Sequence, residues 1–207
     1  MTPASRTRPA FAGDARPWFL FALLLLAGCS TRPPAETAVY VVRPPVGPTV
    51  LGPEGAPRIR LAGPEIAAHI RGFGFVDADG RVSTYVAARP AAPIEETLSD
   101  AAIDRLRASG RWSAVLPPTH PGRAGAVLRL KLRRFEIDAS GGGYVAIAAL
   151  EGTLDKDDSR DVLHSFAVEG RAEPASAAAS DVVRALETAL GTALDRMIEA
   201  VAAVPMR

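Results

Sequence analysis

The sequence predicts an α+β domain: an antiparallel sheet with a mid-chain helix and a long C-terminal helix packed on one face. Leu128, Leu130 and Leu132 alternate with charged residues, which is typical of a strand with one buried face. Over residues 176–203 apolar residues recur at spacings of three and four, which indicates one face of a long helix. The connections between the last three strands are too short for crossovers, so these strands are predicted to be antiparallel.

The N-terminus, residues 1–28, has the plan of a secretory signal peptide. Basic residues precede the apolar run 18–27, and small residues follow it. The run is about half of the ~20 residues that a membrane-spanning helix needs, so we expect it to engage the export machinery and to be removed. Residues 26–29 match the bacterial lipobox. This resemblance implies cleavage between Gly28 and Cys29 and lipidation of the Cys29 thiol.

Cys29 is the only cysteine, so it cannot form an intrachain disulfide, and its position gives it another role. One acyl chain holds a protein only marginally, whereas two or more make a stable anchor. Ser30 stands where an Asp would retain the protein at the inner membrane, so we expect the periplasmic face of the outer membrane. The alternative interpretation is an uncleaved anchor or a chance cysteine after an apolar run.

The mature chain is predicted to begin with the lipidated cysteine and a flexible tether, residues 29–37, rich in proline and small polar residues. The folded domain is predicted to be 38–207. A short β-branched strand, 39–42, comes first, and a Pro/Gly-rich loop, 44–57, follows it. Residues 58–61 alternate in polarity and are predicted to form a strand.

A hairpin and a helix follow in the first half of the domain. The turn Asp-Ala-Asp-Gly, 77–80, lies between residues 73–75 and the period-two residues Val82, Thr84 and Val86, which predicts a hairpin. Pro93 then opens a helix over about 94–109, with acidic residues in its first turn and basic residues in its last. A short extended segment around residues 112–116 follows.

Three strands and a helix make up the second half. The polarity of the strand beginning near Leu128 changes parity after Arg134, which predicts a bulge at Arg133–Arg134. Residues 144–154 are apolar on both faces and are predicted to lie inside the sheet. The segment 162–171 is predicted to be the next strand, and the helix 176–203 ends the domain.

The sequence offers no catalytic constellation, so we expect a protein that is not an enzyme and has no cofactor. The three histidines, His69, His120 and His164, are far apart and lie at no metal-ligand spacing, so no metal site is predicted. The acidic run at 155–161 could hold a hard cation but lacks the pattern of a calcium loop, so a solvated turn is favoured. A catalytic site would need a cleft that gathers several of Asp138, Asp155, His164 and Glu169.

A basic stripe, defined as Arg129, Lys131, Arg133 and Arg134, is the candidate partner surface. Its alternative interpretation is the solvent face of a strand. The chain has a net charge of +1, and the signal peptide contributes a surplus of two cations, so the mature chain carries no field that would attract nucleic acid. The C-terminal helix packs on its own sheet or, if its apolar face is wider than the sheet covers, contacts a second copy in a homo-oligomer.

The order of these features resembles a known family. A lipobox precedes the Val39-Tyr40-Val41-Val42 strand, and a hairpin leads to a helix that is entered through the stretch Ala88-Arg89-Pro90 to Pro93. The segment 128–136 reads Leu-Arg-Leu-Lys-Leu-Arg-Arg-Phe-Glu. A glycine turn, an apolar strand and an Ala-rich helix follow. Over residues 38–203 the pattern resembles the ABC-type transport auxiliary lipoproteins, the paraquat-inducible protein C-like group.

The resemblance implies a non-enzymatic role. It implies a membrane-anchored partner of a mammalian-cell-entry (MCE) domain protein, in an ABC-type system that moves lipids between the two membranes and maintains envelope integrity. The alternative is a stand-alone envelope-assembly or lipid-binding lipoprotein. A cavity between sheet and helices, large enough for an acyl chain, would favour that alternative. A tightly filled core would favour docking.

Overall fold

The structure is a computed structural model that describes residues 37–205. The predicted signal peptide, Gly28, Cys29 and all of the predicted tether except Thr37 lie outside the described residues. The described part contains ten strands and two helices. They are β1 (Ala38–Tyr40), β2 (Arg58–Leu61), β3 (Glu65–Ile66), β4 (Gly74–Val76), β5 (Val82–Thr84), β6 (Ala88–Pro90), α1 (Ile94–Ala108), β7 (Ala114–Leu116), β8 (Ala126–Asp138), β9 (Val145–Lys156), β10 (Val162–Ala172) and α2 (Ala179–Ala202).

The predicted α+β class is confirmed. The main sheet has the strand order β10-β9-β8-β2-β7, and the pairs β8–β9 and β9–β10 are antiparallel, as predicted. The sheet is not antiparallel throughout, which differs from the antiparallel sheet that the sequence predicted. Along the other edge of β8, the strands β2, β3 and β4 pair with it in parallel. These three short strands follow one another along β8, and α1 lies in the connection back to β8. A connection of that length permits a parallel crossover.

Two smaller pairings complete the topology. The predicted hairpin around the 77–80 turn is β4–β5, with Val76 opposite Val82 and Gly74 opposite Thr84. Strand β1 pairs in parallel with β6 and forms a separate two-stranded sheet. Strand β5 pairs only with β4 among the described strands, so it forms an edge.

The predicted bulge in β8 is confirmed. Leu132 pairs with Leu150 of β9, whereas Arg134 pairs with the next residue, Ala149, so Arg133 is the extra residue. Before the bulge the even-numbered residues of β8 face the core, and after it the odd-numbered residues do. Phe135 is therefore buried in the same core as Leu130 and Leu132. Strand β8 therefore remains buried on one face over its full length.

Both helices pack on the same face of the sheet and share one core. Leu98 and Leu106 of α1 and Leu186 and Leu194 of α2 belong to the same cluster of buried side chains as Leu128 of β8. Helix α2 makes its closest contacts with β10 and β9. The charged side chains of β8 alternate with the core leucines and therefore occupy the opposite, outer face.

The contact between α2 and β10 is close because both surfaces carry small residues. A Cβ added to Gly170 of β10 would lie 1.9 Å from the carbonyl oxygen of Ala189 and 2.7 Å from the amide nitrogen of Ala193. A Cβ on Gly152 of β9 would lie 2.6 Å from Cζ of Phe166. At Gly170 there is no room between sheet and helix for a larger side chain, and at Gly152 the space is taken by Phe166 of the neighbouring strand. Neither helix within residues 37–205 has the length and hydropathy to cross a membrane.

Candidate functional site

The basic stripe lies on the outer face of β8, and each of its four cations meets a carboxylate. Nε of Arg129 lies 2.7 Å from Oδ2 of Asp155. Two further pairs are longer. The distance from Nζ of Lys131 to Oε2 of Glu65 is 3.3 Å, and that from Nε of Arg133 to Oε1 of Glu151 is 3.5 Å. In the structure the predicted basic stripe is therefore a row of ion pairs along β8, which we call the ion-pair ladder.

Arg134 stands at the centre of the densest part of this ladder. Its Nε donates to Oε1 of Glu136 at 2.6 Å and its Nη2 donates to Oδ2 of Asp138 at 3.2 Å. Oε2 of Glu169, on β10, lies 3.7 Å from Nη1 of Arg134. Glu169 in turn accepts a hydrogen bond of 2.6 Å from Nε of Arg171. Three carboxylates thus share two guanidinium groups, and the local charge is negative.

The protonation of this cluster follows from its contacts. Burial works against the charged form of Arg134, but the hydrogen bond and the charge of Glu136, with Asp138 and Glu169, hold the pKa of Arg134 above its ordinary value. The pKa of Asp138 is lowered chiefly by hydrogen bonds from the hydroxyl and amide of Ser140, and Arg134 adds to the effect. Both groups are therefore charged at neutral pH.

Glu136 is only 5% exposed, and the fold makes space for it. Gly74 of β4 lies beside it in the parallel register, and a Cβ on Gly74 would be 2.7 Å from Cβ of Glu136. Ile147 is also buried on this outer face, since it pairs with Glu136 on one side and with Arg171 on the other. The charged side chains thus cover an apolar residue.

A shallow depression of about 530 Å³ lies on the same face, over β8, β9 and β10. Its lining mixes the charged groups Glu65, Arg129, Lys131 and Glu151 with Thr153 and small residues. Such a surface can bind a polar partner of mixed charge through ion pairs that exchange with its own. It is not the purely cationic surface that the sequence alternation alone suggests, and its use as a partner surface stays a prediction.

The residues that a catalytic site would need are gathered only in part. Asp138 and Glu169 meet at Arg134, but Asp155 pairs with Arg129 farther along β8. His164 pairs with Leu154 in the sheet register and stacks on Phe166 at 6.5 Å, on the face toward the helices. No cluster of three or more metal-ligating side chains occurs within residues 37–205.

The acidic run at 155–161 holds the fold together through its own contacts. Both carboxylate oxygens of Asp157 contact the guanidinium of Arg60, at 3.2 and 3.3 Å, and Oδ2 also accepts a bond from the amide of Ala124. Asp161 accepts a bond of 2.6 Å from the hydroxyl of Ser159. A turn is present at 157–159, but the run is not fully solvated as predicted, since Asp155 is only 7% exposed and Asp157 is bonded to Arg60.

A second surface, at the hairpin, was not recognised from the sequence as a candidate site. We define the β5 strip as Val82, Thr84 and Val86. Val82 is 59% exposed and Val86 is 78% exposed. The chain reaches the domain at this strip, because Oγ1 of Thr37 donates to the carbonyl of Val86 at 3.0 Å. The period-two pattern predicted the strand, but a pattern cannot show that neither face of an edge strand is covered.

The tyrosine cluster, defined as Tyr40, Tyr85 and Tyr144, lies at the same end and contains every tyrosine of the chain. The ring of Phe75 lies 6.3 Å from that of Tyr85 and 6.2 Å from that of Tyr144. Burial, followed by the charges of Tyr144 and Tyr40, raises the pKa of Tyr85. Its phenol therefore stays neutral and can donate a hydrogen bond.

The fold defines an α+β protein of the kind found in a DUF330 protein of Xanthomonas campestris. That structure has 22% sequence identity and a TM-score of 0.70, and the match covers 80% of this chain and 96% of that one. An uncharacterized protein matches at 11% identity and a TM-score of 0.63, over 80% and 99% of the two chains. A putative lipoprotein from Caulobacter crescentus matches at 16% identity over 41% and 70%, and its TM-score of 0.31 is too low to support an argument.

Comparisons with family models and with curated proteins find no match. The similarity to the Xanthomonas protein therefore shows only that the two chains share a fold.

Proposed function

We propose that this chain is a non-enzymatic, lipid-anchored envelope lipoprotein that docks an MCE-domain protein of an ABC-type intermembrane lipid transport system. Its place is the periplasmic face of the outer membrane. The lipobox ending at Cys29 supports the anchor, and the resemblance over residues 38–203 supports the transport system. The shared fold with the DUF330 protein agrees with the proposal.

The packing between sheet and helices is the observation that favours docking over lipid binding. An acyl chain needs an apolar cavity, and such cavities are usually several hundred Å³ in volume. Here the backbone of α2 lies against Gly170, and Phe166 occupies the space over Gly152. Leu128, Leu150 and Leu154 are at most 1% exposed beneath the helices. Close packing at these positions favours interaction through the outer surface of the sheet.

The outer face of β8 is the proposed docking surface. Its ion pairs are mostly solvent-exposed, and exposed pairs contribute only about 0–1 kcal/mol each, so a partner can exchange them at little cost. Such charges set the orientation of a partner and the association rate more than the affinity. We assign this face, rather than the helical face, because the helices share the domain's own core.

The test is affinity purification of the tagged full chain from solubilised envelopes, with identification of co-purifying proteins by mass spectrometry. We expect an MCE-domain protein and a transporter permease. The charge reversal Arg133→Glu should reduce their recovery, whereas Arg111→Glu, an exposed cation outside the stripe, serves as the matched control and should not. Recovery of neither protein from an envelope that holds the anchored chain would refute the docking role.

The anchor is tested separately. The mature protein should have the mass of a triacylated Cys29 and should incorporate labelled palmitate, and Cys29→Ser should abolish the incorporation. An intact N-terminus with a free thiol would contradict the anchor, whatever the affinity purification shows.

A further inference from the structure

We propose that edge strand β5 and the adjacent tyrosine cluster form a second membrane contact, which lays the domain on the lipid surface beside its own anchor. The ligand is the headgroup region of a bilayer. This inference rests on the proposed lipid anchor at Cys29 and deepens it, because it states which side of the domain faces the membrane.

The described domain begins next to the β5 strip. The chain reaches the described domain at Thr37, which is bonded to the carbonyl of Val86, and Ala38 donates to the carbonyl of Ala87. Thr37 is eight residue steps along the chain from Cys29. Fully extended, they span at most about 28 Å, at roughly 3.5 Å per residue. The β5 edge therefore stays within about 28 Å of the anchored lipid whenever the anchor is inserted.

The opposite end of the domain cannot be equally close in the same orientation. Phe75 of the hairpin pairs with Ile137 of β8, whereas Ile59 of β2 pairs with Ala126 at the other end of that strand. These two positions on β8 are eleven residues apart, which is about 36 Å at 3.3 Å per residue. The tether thus favours the β5 end over the end that carries β2 and β7.

The side chains at the β5 end suit a membrane interface. Val82 of the edge strand and Val86 of the turn that follows it are both exposed, and Tyr144, on the other side of Phe75, is 43% exposed. Tyrosine is enriched where a bilayer meets water, because its ring is apolar and its hydroxyl is polar. The unpaired N–H and C=O groups of an edge strand need hydration, so the contact belongs to the headgroup layer rather than to the hydrocarbon.

The charges around the strip are compatible with anionic headgroups. Arg71, Arg81 and Arg89 flank it, and within residues 37–205 none of them takes part in an ion pair. Cationic side chains at a membrane surface are attracted to anionic lipid. The carboxylates of Asp77 and Asp79 oppose them in part, and so does the negative cluster around Arg134, which lies beside β4. The Asp77 carboxylate accepts bonds from the amides of Asp79 and Arg81 within the turn.

The experiment uses the lipidated mature protein in vesicles of phosphatidylethanolamine and phosphatidylglycerol. A single new cysteine, Val86→Cys, carries an environment-sensitive fluorophore, since Cys29 is blocked by its lipid. The matched control is Leu51→Cys, because Leu51 is 86% exposed and lies in the 44–57 loop beside Gly110 and Trp112, away from the hairpin. Thermal melts of both variants confirm that each is folded.

We expect the label at Val86 to shift to shorter wavelength and to be quenched by shallow spin-labelled lipids, and the label at Leu51 to do neither. Adding Val82→Asp should return the Val86 label toward its value in water while the protein stays bound through the anchor. A vesicle-bound, lipidated protein whose Val86 label remains in water would overturn the inference. So would protection that appears only as the protein-to-lipid ratio rises, because that result indicates contact between copies.

The two proposals fail in distinguishable ways. If the anchor is absent, neither labelled variant floats with the vesicles and the protein has the mass of a free Cys29, which overturns this inference together with its premise. If only the second contact is absent, both variants float and neither label senses lipid, and the anchor stands.

Discussion

Replacing Gly170 by alanine is predicted to destabilise the domain more than any surface change. The new methyl carbon would lie 1.9 Å from the carbonyl oxygen of Ala189 and 2.7 Å from the amide nitrogen of Ala193. Both atoms belong to the backbone of α2, so no side chain can turn aside to relieve the contact. The helix must instead move away from β10 by more than 1 Å, roughly the difference from normal van der Waals separation.

That movement disturbs the packing of α2 against β10 and β9. Overpacking a core in this way typically costs about 1–3 kcal/mol, and here the upper end is expected because the obstacle is backbone. For a domain of this size, each kcal/mol lowers the melting temperature by about 2–4 °C, so Gly170→Ala should lower it by roughly 6–12 °C.

The assay is thermal unfolding followed by circular dichroism, with urea unfolding as a second measurement. Gly143→Ala is the control, because a Cβ on Gly143 has no neighbour within 4 Å, and it should change stability by less than about 0.5 kcal/mol. If Gly170→Ala melts at the same temperature as Gly143→Ala, then α2 is not held against the backbone of β10. That result would contradict close packing between this helix and the sheet.

Three further predictions concern the charged cluster on the outer face. Arg134→Met leaves three carboxylates without their shared cation and should lower the free energy of unfolding by about 1–3 kcal/mol at neutral pH, as urea unfolding would measure; an unchanged urea midpoint would contradict it. Ser140→Ala should destabilise the domain at neutral pH. The hydrogen bonds from Ser140 lower the pKa of Asp138 in the folded state below its value in the unfolded chain, near 3.8. The resulting stabilisation is fully present above the unfolded pKa and is lost as the pH falls through the folded pKa. The difference in stability between Ser140→Ala and the unaltered chain should therefore disappear in acid. A difference that stays constant from neutral pH into acid, in parallel melts, would refute that cause. Gly74→Ala places a Cβ 2.7 Å from Cβ of Glu136 and should cost about 1–3 kcal/mol in the same assay, whereas equal stability would mean that β4 can move away from β8 freely.

The helices and the long strands could be predicted because their signals are local. The sequence predicts helices over 94–109 and 176–203, and the structure has them at Ile94–Ala108 and Ala179–Ala202. The bulge at Arg133 was also predictable. The apolar residues of β8 are even-numbered from Leu128 to Leu132 and odd-numbered from Phe135, and they can share one face of the strand only if one residue is left unpaired between them.

The candidate partner surface was predicted in its residues but not in its electrostatics. Alternation together with the predicted bulge places Arg129, Lys131 and Arg134 on one face of β8, and the structure agrees. Their partners Glu65 and Glu169 come from other strands, and the register between strands determines which carboxylate faces which cation. A single sequence does not contain that register.

The sequence by itself determined the periods of its strands and helices and the bulge in β8, because each depends on residues that are neighbours along the chain, and for the same reason it predicts a lipid anchor at Cys29. Only the tertiary structure decided that β2, β3 and β4 run parallel to β8, that the charged stripe is neutralised, and that α2 lies on Gly170. Glycine inside a strand signals a close approach, but it does not say which element approaches. These features depend on pairings between distant segments, which form only when hydrophobic burial brings those segments together.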